Sequence, residues 1–273
     1  MDIRHVFIIS DRTGITAETL SHSLLTQFPG VNFHTVALPF VDSVAKVDEA
    51  MQRIDAIGRE TGNKPLVFTT FVEDTHREQL QRANGVFFDF FDTFIGPLER
   101  ELKAESSHSA GQSHGMVDVA RYTSRISAVN FSVHCDDGIH TSNYDRAMVV
   151  LMGVSRSGKT PTCLYLALRF GIYAANYPLT EDDFSQEVFP DALRIHRDKL
   201  FGLTIEPERL QQIRQERRGS GHYSELRQCR YEVTQAEVLY RQQGIPYLDA
   251  TSMSIEEIGT TVIHRMKLHR DPY

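Results

Sequence analysis

Val149-Val150-Leu151-Met152-Gly153-Val154-Ser155-Arg156-Ser157-Gly158-Lys159-Thr160 is the stretch on which the fold turns. Its first four residues are the unbroken apolar run of a strand buried on both faces. The next eight keep the spacing G-x-x-x-x-G-K-[ST] of a phosphate-binding loop. Glycines at 153 and 158 let the backbone turn so that successive N–H groups face an anion. Lys159 supplies a point charge for the outer phosphoryl oxygens, and the Thr160 hydroxyl is a ligand for Mg²⁺. Cys163-Leu164-Tyr165-Leu166-Ala167-Leu168-Arg169-Phe170 then continues as a helix, with Pro161 in the first turn, where its missing N–H costs nothing. The candidate nucleotide-binding residues are therefore Gly153, Val154, Ser155, Arg156, Ser157, Gly158, Lys159 and Thr160, with Thr160 the candidate metal ligand. The same letters also describe a glycine-rich turn between a core strand and a helix.

Downstream, residues 172–177, 200–205 and 246–250 read as strands, each preceded by a helix-compatible segment. Residues 254–267 read as a last helix, capped by Ser254 with Glu256 and Glu257 in its first turn. Upstream, residues 5–9, 33–38, 66–71 and 85–91 are strand-like. They alternate with helical patterns at 16–28, 44–60, 74–83 and 95–105, which implies a parallel, doubly wound sheet. Ser106 to Gly115 is small, polar and rich in Gly and Ser, as a linker is. The expected class is α/β: an N-terminal doubly wound parallel-sheet domain over 1–105, a connecting segment over 106–145, and a P-loop kinase-like α/β domain over 146–273. The pattern shows no internal repeat.

Composition narrows the function. The chain has 273 residues, 41% hydrophobic and 24% charged, as in soluble globular proteins. A formal charge of −7 opposes broad nucleic-acid binding, which needs a positive field. No apolar run approaches the ~18 residues of a membrane span, and the start lacks a signal-peptide core, so a cytoplasmic protein without membrane association is expected. Cys135, Cys163 and Cys229 are too few and too scattered for a disulfide framework or a metal knuckle. His108/His114 and His134/His140 are each six apart, a spacing that neither helix nor strand makes into a ligand pair.

Three further constellations bear on chemistry. Residues 207–232 carry Arg209, Arg214, Arg217, Arg218, Arg227 and Arg230 around Gly219-Ser220-Gly221. Such a pair of helices is either a lid that closes over phosphates or a solvated hairpin whose Glu208, Glu216, Glu225 and Glu232 pair with the arginines. As lid residues, Arg218 and Arg227 are the candidates, being nearest the hinge. Asp136-Asp137-Gly138 offers a carboxylate for general-base work, Asp137 being the candidate, or for holding Mg²⁺ through water, or is simply an Asp-Gly turn. Ser10-Asp11-Arg12-Thr13-Gly14-Ile15-Thr16 ends the first strand, where open α/β sheets bind ligands, although Thr16 as a helix N-cap needs none. A Walker-type acidic strand end is not recognisable; Asp182, Asp183 and Glu206 are poor substitutes.

Taken together, these residues resemble the phosphoenolpyruvate synthetase regulatory proteins, also called pyruvate, water dikinase regulatory proteins. The resemblance runs end to end. It is carried by Ile9-Ser10-Asp11-x-Thr13-Gly14-Ile15-Thr16-Ala17-Glu18, His134-x-Asp136-Asp137-Gly138, residues 153–162, Ala174-Ala175-Asn176-Tyr177-Pro178, Leu200-Phe201-Gly202-Leu203-Thr204-Ile205 and Arg227-Gln228-Cys229-Arg230. It implies a bifunctional enzyme that uses ADP to phosphorylate a threonine of the synthetase, inactivating it. The same enzyme would remove that phosphoryl group with inorganic phosphate, releasing pyrophosphate. The implied nucleotide loop is 153–160, with Mg²⁺ as the metal and the synthetase as the protein partner; a homodimer is allowed for. A related branch acts on pyruvate, phosphate dikinase. From the residues alone, ADP and ATP are equal candidates as donor. A small-molecule kinase of the adenylate or shikimate type and a non-catalytic nucleotide sensor remain the alternatives. A complete α/β domain ahead of the loop is more than a small acceptor needs.

Overall fold

The computed structural model describes residues 3–71, 74–106, 119–185, 189–218 and 221–269. The chain divides into two compact units, Met1–Gly115 and Met116–Tyr273.

In the first unit, β1 (Ile3–Ser10), α1 (Ile15–Leu25), β2 (Asn32–Leu38), α2 (Val44–Thr61), β3 (Leu66–Thr70), α3 (Asp74–Leu80), β4 (Val86–Asp89) and α4 (Phe90–Leu102) follow one another. The strands form a parallel sheet in the order β2-β1-β3-β4. Alternate side chains of β1 serve opposite faces, as a two-residue period demands. Phe7 and Ile9 pack with Val47, Ala50 and Ile54 of α2, while Val6 and Ile8 pack with Ala17 of α1 and Phe90 of α4. Two of the boundaries that differ from the sequence reading have a visible cause in the caps. α4 begins at Phe90 rather than at 95, because the Asp89 carboxylate caps it by accepting from the Asp92 N–H at 2.8 Å. The N-cap of α1 is Gly14, at φ 76°, and Thr16 lies inside the first turn.

The second unit opens with α5 (Val119–His134), followed by 3₁₀ turns at Asp136–Gly138 and Thr141–Arg146. β5 (Val149–Gly153), α6 (Lys159–Phe170) and β6 (Ala174–Pro178) come next. Then follow α7 (Glu181–Ser185), α8 (Asp191–Arg194), β7 (Leu200–Thr204), α9 (Pro207–Arg218), α10 (Leu226–Gln243), β8 (Tyr247–Asp249) and α11 (Ile255–Met266). Its sheet is also parallel, in the order β6-β5-β7-β8. Val149 and Leu151 face α6 and α11 through Cys163, Leu166, Ile258 and Val262. Val150 and Met152 face α5 and α10 through Phe131, Val233 and Tyr240. α11 starts with a full capping box, in which the Ser254 hydroxyl accepts from the Glu257 N–H and the Glu257 carboxylate accepts from the Ser254 N–H.

Residues 119–145, expected as connecting chain, belong to the packed body of this unit. Ser132 donates to the Ala174 carbonyl at 2.7 Å, and the fully buried Tyr144 donates to the Asn176 carbonyl at 2.8 Å. Scattered Ser and Arg residues hide the apolar face of α5 from a reading by composition. The Gly/Ser-rich stretch from 107 to 115 lies outside the described residues. Both sheets have the same relative order, with the first strand second from one edge. This topological repetition leaves no period in the sequence. Among the described residues, no helix is long and apolar enough to cross a membrane.

Candidate active site

β5 is buried along its whole length and delivers Gly153 to the carboxyl end of the sheet, beside β7, where the strand order reverses. Open α/β sheets hold ligands at such a point. A Cβ at Gly153 would stand 2.6 Å from the Leu203 carbonyl oxygen and 2.8 Å from Ser157 Oγ, so only glycine lets the loop pass this close to β7. The loop turns through Arg156 at φ 78° and Gly158 at φ 91°, the latter being the N-cap of α6. Lys159 is buried, and its ammonium donates to the Val154 carbonyl at 3.0 Å. Burial lowers its pKa to about 8, with the Asp137 carboxylate the strongest charge acting against that shift.

The 3₁₀ turn after α5 closes on this loop. Asp136 Oδ1 accepts from the Thr160 hydroxyl at 2.8 Å and also from the Asn176 side-chain amide. Asn176, fully buried on β6, uses its own oxygen to accept from the Asp137 N–H at 3.1 Å. One side chain therefore holds both aspartates, at a turn where Asp137 has φ 50° and Gly138 has φ 71°. The Asp136 carboxylate is engaged, whereas that of Asp137 is exposed and makes no hydrogen bond among the described residues. Thr160 and Asp136 together are hard oxygen donors of the kind Mg²⁺ takes alongside phosphate oxygens. The structure also stacks the His134 and His140 rings at 3.9 Å, a ring contact rather than a ligand pair, because α5 ends at His134 and the turn brings the chain back. Among the described residues, no group of three His, Cys, Asp or Glu is placed to hold a metal ion.

On the other side stands the hairpin of α9 and α10. Its arginines divide sharply. Arg230 pairs with Glu208 at 2.6 Å on the surface, and Arg209 donates to Gln212. Arg214 is fully buried, donates to both oxygens of Glu232 at 2.5 and 3.1 Å, and reaches the Ser155 carbonyl of the loop at 3.2 Å. Tyr223, under its guanidinium, shares a hydrogen bond with Ser155 Oγ at 2.9 Å.

The profile of the kinase/pyrophosphorylase family matches residues 6–263, nearly the whole chain. The chain belongs to this family. A protein of Halorhodospira halophila is 56% identical to it over 270 residues, covering 98% of each. One from Alkalilimnicola ehrlichii is 53% identical, covering 99% of this chain and 98% of that protein, and one from Legionella pneumophila (strain Lens) is 49% identical, covering 98% of each. All three bear the name "Putative phosphoenolpyruvate synthase regulatory protein".

For this kinase/pyrophosphorylase chain, the structure draws together residues that the sequence left apart. Asp136, not Asp137, touches Thr160, and it arrives from 24 positions upstream, which is why no acidic strand end was recognisable. Asp183 is occupied elsewhere, accepting from the Thr180 N–H and the Tyr177 hydroxyl. Arg227 is exposed and makes no hydrogen bond among the described residues, while Arg218 ends α9 with its side chain outside what is described. The hairpin arginine at the loop is Arg214, whose neighbourhood carried no motif to separate it from the other five. Asn176 was visible only as one letter of a strand.

Proposed function

We propose that the chain uses ADP to phosphorylate a threonine of phosphoenolpyruvate synthase, and that it removes the same phosphoryl group with inorganic phosphate. The family membership and the relatives' printed names support the regulatory role. The observation that carries the chemistry is the cluster at the end of β5, where Lys159, Thr160, Asp136 and Asp137 surround one glycine-rich loop.

In the kinase direction the threonine oxygen bonds to the β-phosphorus of ADP, the bridging P–O bond breaks, and AMP leaves. The hydroxyl proton goes to Asp137, whose carboxylate is the uncommitted one. In the reverse direction an oxygen of inorganic phosphate attacks the phosphothreonine phosphorus, the bond to threonine breaks as its oxygen takes a proton from Asp137, and pyrophosphate forms. A cradle that holds the β-phosphate of ADP also fits inorganic phosphate in line with the transferring group, so one site serves both. Lys159 and the loop N–H groups offset the charge of the equatorial oxygens. Thr160 and Asp136 are the residues that would hold Mg²⁺, which supplies charge neutralisation between phosphates. Arg218 and Arg227, at the hairpin tip, are assigned to the transition state on closure.

The test is incubation with ADP labelled on its β-phosphate, together with the synthase and candidate small acceptors. Label on the synthase supports the proposal. Label on a metabolite would favour a small-molecule kinase, and nucleotide binding without transfer would favour a sensor.

A further inference from the structure

Arg214 occupies a place that packing alone would give to an apolar side chain. A buried ion pair is often no more stabilising than hydrophobic residues of the same volume, so what the pair supplies is a donor at a fixed position. That donor meets one peptide of the phosphate loop. Arg214 Nη2 lies 3.2 Å from the Ser155 carbonyl, and Nη1 lies 2.8 Å from the Tyr223 carbonyl. The guanidinium carbon sits 4.1 Å from the centre of the Tyr223 ring, whose hydroxyl is bonded to Ser155 Oγ. Ser155 is thus gripped twice, at its carbonyl and at its hydroxyl, by side chains that also grip each other. Glu232 completes the assembly, and Gln228 donates to Glu232 at 3.0 Å from one turn earlier on α10.

We infer that Arg214, held by Glu232 and aided by Tyr223, is a positioning residue that fixes the Ser155–Arg156 peptide so that the Arg156 N–H faces the anion site. The inference deepens the phosphate-loop reading and rests on it. The Ser155–Arg156 peptide is trans, and in a planar trans peptide the C=O and N–H point in opposite directions. A Ser155 carbonyl aimed at Arg214 therefore sends the Arg156 N–H away from the hairpin, toward the other side of the loop. Arg156 itself has φ 78°, a left-handed conformation that a residue with a Cβ adopts only under constraint. Left-handed residues within loops are how backbone N–H groups are gathered into anion-binding nests. The hairpin supplies the constraint, so its root is a buttress of the loop.

The experiment uses the full-length protein. Calorimetry measures pyrophosphate and ADP binding, and steady-state assays with the synthase give KM for ADP and kcat separately. The variants are Tyr223→Phe, Arg214→Lys and Arg214→Lys combined with Arg156→Gly, each checked for native thermal unfolding. Tyr223→Phe, which removes one hydroxyl and keeps the ring, should weaken pyrophosphate binding roughly fivefold, as loss of one hydrogen bond implies. Arg214→Lys should weaken it by roughly tenfold or more and raise KM for ADP more than it lowers kcat. Arg156→Gly should restore much of that loss, because glycine takes a positive φ without restraint. Unchanged pyrophosphate binding in a folded Arg214→Lys, or no recovery with Arg156→Gly, would overturn the inference and leave a merely structural ion pair. If Arg214→Lys does not fold, Tyr223→Phe with unchanged binding overturns it. Wild-type protein that binds neither pyrophosphate nor ADP would instead remove the phosphate-loop reading beneath it.

Discussion

Lys159 has 4% of its surface exposed and one hydrogen bond, to the Val154 carbonyl, so its ammonium depends on the nearby carboxylates and on whatever anion the loop holds. Burial brings its pKa from 10.5 down to about 8. Between those values the unfolded chain carries a proton that the folded protein has released. The penalty of the buried charge is therefore present below about pH 8 and relieved as pH rises toward 10.5. Anion binding needs the charged form. Affinity for pyrophosphate should accordingly fall above about pH 8 by up to about tenfold per pH unit, which calorimetry across that range would measure; a flat profile would disconnect Lys159 from the anion. The aspartates should separate too. Asp137→Asn is expected to lower kcat by on the order of 10²-fold through loss of the base. Asp136→Asn should chiefly raise the Mg²⁺ concentration required, which a magnesium titration of the rate would show. Lys159 and Thr160 are legible in the sequence because the motif is local. Asp136 and Asn176 are not, because their meeting depends on β6 lying next to β5, a fact of sheet order that no spacing records.

Helix-scale features follow similar rules. Ser254 with Glu257 announces α11 because a capping box is a local pattern, whereas the start of α4 is hidden in an aromatic run that reads as strand until the Asp89 cap is seen. α5 reads as connecting chain because Arg121, Ser124, Arg125, Ser127 and Ser132 are scattered among its apolar residues and blur their helical spacing. In the hairpin, Arg230 with Glu208 is the solvated pair of one sequence reading, while Arg214, singled out by neither reading, is tied to the loop. Arg218 and Arg227 flank the tip. Replacing Arg227 with alanine should lower kcat several-fold or more while the Kd for ADP stays within about twofold, since a closing tip contributes mainly to the transition state. The check is kcat alongside calorimetric Kd. Near-normal kcat would return the tip to a solvated surface.

At the scale of the whole chain, alternating strand and helix patterns suffice for two parallel α/β bodies, because a strand buried on both faces reads as an apolar run. The order within each sheet was not readable, and neither was its repetition from one unit to the other. The glycine-rich loop, the hairpin and α11 all lie in the second unit, and residues 1–105 carry no such motif. A folded fragment of about residues 112–273 should therefore bind ADP within a few-fold of the full chain and transfer almost nothing to intact synthase, since remote binding energy drives kcat/KM. Calorimetry and a transfer assay on that fragment would show it; robust transfer would make the first unit dispensable. The central claim is that a single loop carries a phosphoryl group both onto and off the synthase. Its most direct measurement is mass spectrometry of purified phosphoenolpyruvate synthase, first after incubation with this protein, ADP and Mg²⁺, then after inorganic phosphate replaces ADP, with wild type and Lys159→Ala in parallel. The account predicts one threonine phosphorylated and then cleared with pyrophosphate released, and loss of both steps by on the order of 10²-fold or more in Lys159→Ala. An unmodified synthase, or a Lys159→Ala protein that still clears the phosphothreonine at the normal rate, would contradict it.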